Sequence, residues 1–482
     1  MDTELSPLPP DWVIGTVPGW GKDGAALHRE IRQECWCITR EDLKFIRAEI
    51  KKAVQRKEIT PTERDHFKPV DEEIGPNMYT CVRQYVKPIT ARAGNMSWAL
   101  MCHPEGLECD LFITHAWMEG LYEFVDKVLA SWPVGKQAAY CCIFSNPQNL
   151  DISELIASPK ESPFAKCLNC ATHMLVVPNR SASIYTRLWC VYEAFLAYSE
   201  DKTIITASSP ISRRNYLGLL ALVVNLIIGF MIGRLVSRND SREDSCIDDK
   251  PVHMAACFLI AFVAKVGTFY QGHTNRLLRC LPRFPANFVA NSIGALISGF
   301  AIAAFISGEE AGCYADDPEP STTPAHRASN LVQRIGFALF FLASEKDRVQ
   351  AVGANEEALA LRKGFTMVSD AQCSSKDDSD AIRLEIGDRM PEVDGAISVL
   401  LDAGMFTAHL HKAALHGASI KGAGYFSLAN TILGIIIWLS MLVTIGFLAR
   451  SLALADSPVV QPGIAWILFS MLDVLLFICW AT

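Results

Sequence analysis

Residues 286–307 carry no charged side chain at all. A bilayer-crossing helix needs roughly 20 apolar residues, and this stretch meets that requirement. Three more segments do the same: 216–236, 427–449 and 463–482, the last interrupted only by Asp473. Segment 254–270 is shorter and holds Lys265 near one end, where a long side chain can snorkel to the interface. Segment 331–343 is the weakest, with Arg334 inside it. A chain built this way is expected to be a multi-pass membrane protein, and an overall mean hydropathy of +0.20 agrees.

Loop charges set the expected orientation. Arg213 and Arg214 precede the first segment, which places the N-terminal region in the cytosol. Arg276, Arg279 and Arg283 follow the second segment without an acid, whereas Glu309, Glu310, Asp316, Asp317 and Glu319 follow the third. This alternation fits an N-inside chain. Six spans return the C-terminus to the cytosol, and five leave it outside. Cys246 and Cys313 fall in the two outer loops, where an oxidising compartment would let them pair. The alternative is two free thiols. The start of the chain, Met1-Asp2-Thr3-Glu4, lacks the basic-then-apolar order of a signal peptide, so insertion is expected at an internal segment.

The apolar blocks divide the chain. Residues 1–105 read as a polar, partly helical extension and 106–208 as an α/β domain. Residues 216–343 hold the first four spans, 344–425 a cytosolic helical element, and 427–482 the last two spans. The net charge of −8 and the lack of a basic stripe argue against a nucleic-acid partner. Most of the sixteen cysteines sit singly in apolar runs and read as small buried hydrophobes in a reducing compartment.

Within 106–208, short apolar runs at 110–115, 139–144, 174–177 and 202–206 alternate with helical patterns at 119–132 and 185–198. That alternation predicts an open parallel sheet covered on both faces. Upstream, 41–56 predicts an amphipathic helix with Leu43, Ile46, Ile50 and Val54 on one face. Ligands of such sheets bind beyond the carboxyl ends of the strands. Those ends read Thr114-His115-Ala116-Trp117, then Asn146-Pro147-Gln148-Asn149, then Asn179-Arg180-Ser181. They supply donors, an imidazole and an aromatic face. Ordinary turn chemistry is the competing explanation.

Two stretches resemble a known family. Asp110-Leu111-Phe112-Ile113-Thr114-His115 resembles the first strand box of Toll/interleukin-1 receptor (TIR) domains. The run from Ser183 to Trp189-Cys190-Val191-Tyr192-Glu193 resembles their serine-bearing loop and Trp-Cys-x-x-Glu helix. Together with Asn146-Pro147-Gln148-Asn149 and Ser162-Pro163-Phe164, the segment is also similar to TIR-like multi-pass membrane proteins of unicellular algae. The resemblance implies a flavodoxin-like parallel sheet and a signalling module that self-associates or binds a protein partner. In enzymatic TIR domains the helix glutamate cleaves the glycosidic bond of NAD, which assigns that role to Glu193 and makes NAD the possible substrate. Thr114 stands where the family has serine, and its Arg-Asp-x-x-Pro-Gly loop is replaced by 146–152. A carboxylate merely paired with Arg187 is the alternative for Glu193, and core packing is expected of Trp189 and Cys190.

Metal chemistry has little support. Cys167-x-x-Cys170 has zinc-like spacing, but only His173 and Cys190 lie near it, and Cys35-x-Cys37 is weaker still. His409, His411 and His416 miss the helical zinc spacing. Between Pro391 and Gly404 a helix is expected, with the proline in its first turn and the glycine as its stop. Asp473, mid-span, is expected to pair with Lys265 or Arg334, or else to line an ion path. No repeated span pattern or filter-like loop marks a transporter. The expected function is therefore a membrane-anchored TIR-like signalling protein. The alternatives are an NAD nucleosidase using Glu193, and a channel or transporter with a cytosolic regulatory domain.

Overall fold

The computed structural model describes residues 17–210, 213–239, 286–310, 324–421, 423–424, 427–436 and 438. The chain divides into two compact units, one of Met1–Pro210 with Val352–Tyr425 and one of Ile211–Ala351 with Phe426–Thr482.

The first unit is built on a six-stranded sheet. Its strands are β1 (Ile38–Thr39), β2 (Leu111–Thr114), β3 (Ala138–Cys141), β4 (His173–Val176), β5 (Thr203–Thr206) and β6 (Met405–Phe406). Their order is β1-β3-β2-β4-β5-β6. The inner four are parallel, in register Leu111↔Ala139, Leu111↔His173 and His173↔Thr203. The two outer strands run antiparallel, Ile38 opposite Ala139 and Ile204 opposite Phe406. The sheet is thus mixed, with a parallel centre as expected and two antiparallel edges that the sequence does not announce.

The strands are apolar on both faces because both faces are covered. Phe112, Tyr140, Met174, Val176 and Ile204 point into one core with helices Pro163–Cys170, Leu188–Ser199, Lys376–Ile386 and Met390–Ala403. Leu111, Ile113, Ala139, Cys141 and Leu175 point into the other with helices Arg40–Gln55 and Leu121–Ser131. Strand alternation assigns the two sets, since successive side chains face opposite ways. Each large apolar side chain so enclosed contributes about 1.5–3 kcal/mol of transfer free energy.

Both edges are fixed by capping chemistry. Thr39 ends β1 and caps the next helix in a capping box with Asp42. The Asp42 carboxylate also meets His103 Nε2 at 2.7 Å. The helix face expected over 41–56 is buried, with Leu43, Ile46, Ile50 and Val54 inward. At the other edge, helix Met390–Ala403 stops at Gly404 (φ +76°), a left-handed position that suits glycine. β6 follows at once. Residues 352–425 therefore complete the sheet and one of its cores, and residues 17–105 complete the other.

In the second unit, helix Arg213–Asn239 contains Tyr216–Val236, among the described residues the one helix long and apolar enough to cross a membrane. Leu217, Leu220, Ile227, Met231 and Leu235 on it are exposed. Helix Ala286–Glu310 lies against it through glycines. A Cβ on Gly229 would collide with the Leu296 carbonyl oxygen, and one on Gly299 with that of Leu226. Gly229 and Gly233 are four residues apart, the small-residue spacing that lets apolar helices meet backbone to backbone. Segment 331–343 is the interior of a longer helix, Pro324–Arg362, so the polar region expected from 344 begins inside a helix. The Arg334 guanidinium stands 4.9 Å over the Phe305 ring. Glu345, fully buried, accepts from Asn291 Nδ2 at 3.2 Å and from Arg348 at 2.6 Å. Segments 254–270 and 463–482 lie outside the described residues, as does all of 427–449 beyond 438. So do Lys265, Asp473, Cys246 and Cys313.

Candidate functional site

The parallel strands are visited in the spatial order second, first, third, fourth. The chain reverses direction across the sheet between β2 and β4. In open α/β sheets the crevice at such a reversal is where ligands bind. At this reversal Thr114-His115 ends β2, Asn179 follows β4, and the helix Leu188–Ser199 that carries Glu193 comes next in the chain.

Glu193 is 7% exposed, and its Oε2 is buried with no hydrogen-bond partner. Burial pushes its carboxyl up to about 7, partly offset by the nearby Thr114 hydroxyl and the Arg187 guanidinium. Thr114 Oγ1 is buried without a hydrogen-bond partner as well. His115 is buried too, with Nε2 3.3 Å from Cys142 Sγ and its ring 4.9 Å from Phe124. Burial holds this imidazole down to about 4, so it is neutral at physiological pH. Burial likewise pushes the thiols of Cys142 and Cys190 up to about 12, with Glu193 the second cause for each. Glu193, with one unpartnered oxygen, thus lies near a neutral imidazole, two protonated thiols and the Arg187 guanidinium. Native proteins rarely leave a buried carboxyl oxygen unsatisfied, and perturbed carboxyls in strand-end crevices mark functional sites.

The other sequence candidates divide. Trp117 is half-buried with its ring 5.1 Å from Tyr79. Asn146 is buried and accepts from Tyr140 Oη at 2.8 Å. Gln148 donates to the carbonyls of Cys142 and Asn146, and Asn149 to Lys87 O and Thr90 Oγ1. Gln148 thus ties its own loop, Asn146 anchors it to β3, and Asn149 ties it to helix Lys87–Ala93. Asn179 Oδ1 accepts from the Ser181 N–H at 3.0 Å. Arg180 donates from Nε to Glu123 at 2.7 Å.

That last bond belongs to a polar cluster beside the crevice. Lys127, 1% exposed, donates to Glu357 at 2.8 Å, to Glu123 at 3.0 Å and to the Pro178 carbonyl at 2.8 Å. Ser209 Oγ donates to the other oxygen of Glu357 at 2.7 Å. Glu119 lies 2% exposed nearby with both carboxyl oxygens unpartnered, and burial holds it well above the usual carboxylate range. Neither Lys127 nor Glu357 stands out in sequence, although Glu123 and Lys127 share the i, i+4 spacing of a helical ion pair.

Residues 363–372 lie along the loop between β4 and the Glu193 helix. Ser183 N–H donates to Lys363 O at 2.7 Å, and Lys363 Nζ donates to Arg180 O at 3.0 Å. Gln372 exchanges backbone bonds with Thr186 and Leu188. On the helix itself, Trp189 Nε1 donates to Asp378 at 3.2 Å and Tyr192 Oη to Glu385 at 2.8 Å.

No protein-family model, curated protein or solved structure matches the chain.

Proposed function

We propose that the chain is a membrane-anchored, TIR-like signalling protein with its α/β unit in the cytosol. Its α/β unit hydrolyses the bond between nicotinamide and ribose in NAD, with Glu193 as the catalytic carboxylate. The observation that supports this most is the buried Glu193 carboxyl, whose Oε2 has no hydrogen-bond partner, near Thr114 at the end of β2 where the strand order reverses. As nicotinamide leaves with the bonding electron pair, positive charge develops on the ribose. A carboxylate in a dry site stabilises that charge far better than water does. Water then adds to the ribosyl carbon and releases a proton. Ionised Glu193 is the required form, so kcat/KM should rise with pH and level off above about 7.

The test is nicotinamide release from NAD by the detergent-solubilised full chain. Wild type should release it, and Glu193→Gln should lower kcat by about 10²-fold or more. Equal release by the variant, or none by folded wild type, overturns the enzymatic reading.

A second reading has its own observation. Glu193 is enclosed, and its helix is bonded along one side to Asp378 and Glu385. A module that only self-associates or binds a partner needs no open crevice. For that reading wild type releases no nicotinamide yet forms concentration-dependent oligomers.

A further inference from the structure

Two aromatic rings from different parts of the chain stand at the surface beside the Glu193 site. Tyr79 comes from the helical turn Met78–Cys81, and Trp117 lies two residues past His115. Their ring centroids are 5.1 Å apart, with the planes tilted by 48°. Backbone bonds fix the pair. Met78 N–H donates to Glu119 O at 3.2 Å and Leu121 N–H to Pro76 O at 2.8 Å, which ties the two stretches together next to the rings. Asn77 Oδ1 caps the turn by accepting the Thr80 N–H at 2.9 Å. Tyr79 is thus held in place although it is 51% exposed. A large ring fixed in water adds little to a core, and two of them together offer a flat face to a planar ligand. From this pair a run of contacts leads inward. The Trp117 side chain meets Cys142 Sγ, which stands 3.3 Å from His115 Nε2. Cys190 Sγ reaches His115 O at 3.7 Å, and both thiols lie near Glu193. Exposure falls along the run: Trp117 and Cys142 are partly buried, and His115, Cys190 and Glu193 are buried. The Arg187 guanidinium, itself partly buried, lies near Tyr79, Cys142, Cys190 and Glu193.

We infer that Tyr79 and Trp117 bind the nicotinamide ring of NAD, and that Arg187 takes the phosphate on the same half of the dinucleotide. The inference rests on the NAD reading of Glu193. The nicotinamide half carries a flat ring, the ribosyl carbon that the ring leaves, and a phosphate on that ribose. The aromatic pair, Glu193 and Arg187 offer a partner to each. The ring nitrogen of NAD is bonded to ribose and positively charged, and a cationic ring is attracted to the faces of Trp and Tyr. A guanidinium suits phosphate, which it can bind with two parallel hydrogen bonds. Free nicotinamide is neutral, so the attraction weakens at the step that must release it. The ring then lies at the exposed end of the run of contacts, where water can take it up.

The test uses the full chain in detergent, with NAD turnover and, separately, equilibrium dialysis of nicotinamide mononucleotide in the Glu193→Gln background. Tyr79→Ala and Trp117→Leu should each weaken mononucleotide binding about tenfold, the worth of one stacked ring. Tyr79→Phe keeps the ring face and should bind like its parent. In turnover the loss should fall on KM and leave kcat within about threefold, because the interaction removed belongs to the bound substrate. Arg187→Gln should weaken the mononucleotide about tenfold, and nicotinamide riboside, which lacks the phosphate, should bind equally with and without that change. Tyr79 is exposed, so its alanine variant keeps the fold even if Trp117→Leu does not. No mononucleotide binding, or binding unchanged in Tyr79→Ala and in a folded Trp117→Leu, overturns the inference. Nicotinamide release with an unchanged KM in those variants overturns it as well and leaves the hydrolysis standing. Binding that the variants weaken, without nicotinamide release by wild type, supports the subsite and overturns the hydrolysis alone.

Discussion

Lys127→Met should cost the α/β unit about 3–5 kcal/mol, the penalty for removing one partner of a buried ion pair and leaving the other uncompensated. Methionine keeps the apolar stem, so the loss reports the charge and its three bonds to Glu357, Glu123 and Pro178. Glu123 retains Arg180, and Glu357 retains, among the described residues, the Ser209 hydroxyl. Burial works against the Lys127 ammonium, but Glu357 and then Glu123 outweigh it and hold the group above the usual lysine range. A folded pKa above the unfolded one means this stability is fully present below the unfolded value and is lost only as pH rises past it. At neutral pH the whole contribution is in play, and the melting temperature should fall by roughly 10 °C. Adding Glu357→Gln should recover a large part of the loss, because the orphaned carboxylate goes with it. A drop below about 1 kcal/mol, or a double variant no better than the single, would show that the cluster is well hydrated.

This cluster also shows where sequence stops being informative. The four parallel strands were legible because each is a short apolar run enclosed on both faces, and a covered parallel sheet leaves that mark. β3 ends earlier than its apolar run suggests. Ser145 Oγ accepts the Cys141 N–H at 3.0 Å and folds the chain into the helical turn Cys142–Ser145. Side-chain competition of that kind leaves no periodicity to read. β1 and β6 have two residues each, too few for any pattern, and they are strands only because a neighbouring edge offers its hydrogen bonds. Lys127 and Glu357 lie 230 residues apart, so their pairing follows from topology alone. The Glu193 crevice was half legible. The strand ends point to Thr114 and His115, and the same rule points to Asn146, Gln148 and Asn149, whose amides are bonded to Tyr140, to the carbonyls of Cys142 and Asn146, and to Lys87 and Thr90. Cys142 lies in the apolar run 139–144 that predicts a strand, and its contact with His115 depends on the early end of β3.

Glu193→Gln should stabilise the protein while disabling it, and that opposition separates a functional carboxyl from a structural one. The carboxyl is raised from 4.5 to about 7 in the folded state, mainly by burial. For an acid shifted upward, the unfolded chain gives up its proton first, so stability falls as pH rises from 4.5 toward 7 and stays low above that. The shift corresponds to a cost of about 3 kcal/mol at pH 8 and almost none at pH 4. Glutamine keeps the shape and removes the charge. Its melting temperature should therefore exceed that of wild type at pH 8 and match it at pH 4, as measured on the full chain across that range. A glutamate held in place as a structural partner behaves in the opposite way, since its loss breaks bonds that support the fold. Proteins keep destabilised groups where function demands them, and removing such a group commonly trades activity for stability. A variant less stable than wild type at every pH would assign Glu193 to the scaffold. A variant whose stability advantage grows between pH 4.5 and 7 and is absent at pH 4, and which releases no nicotinamide, would assign it to chemistry.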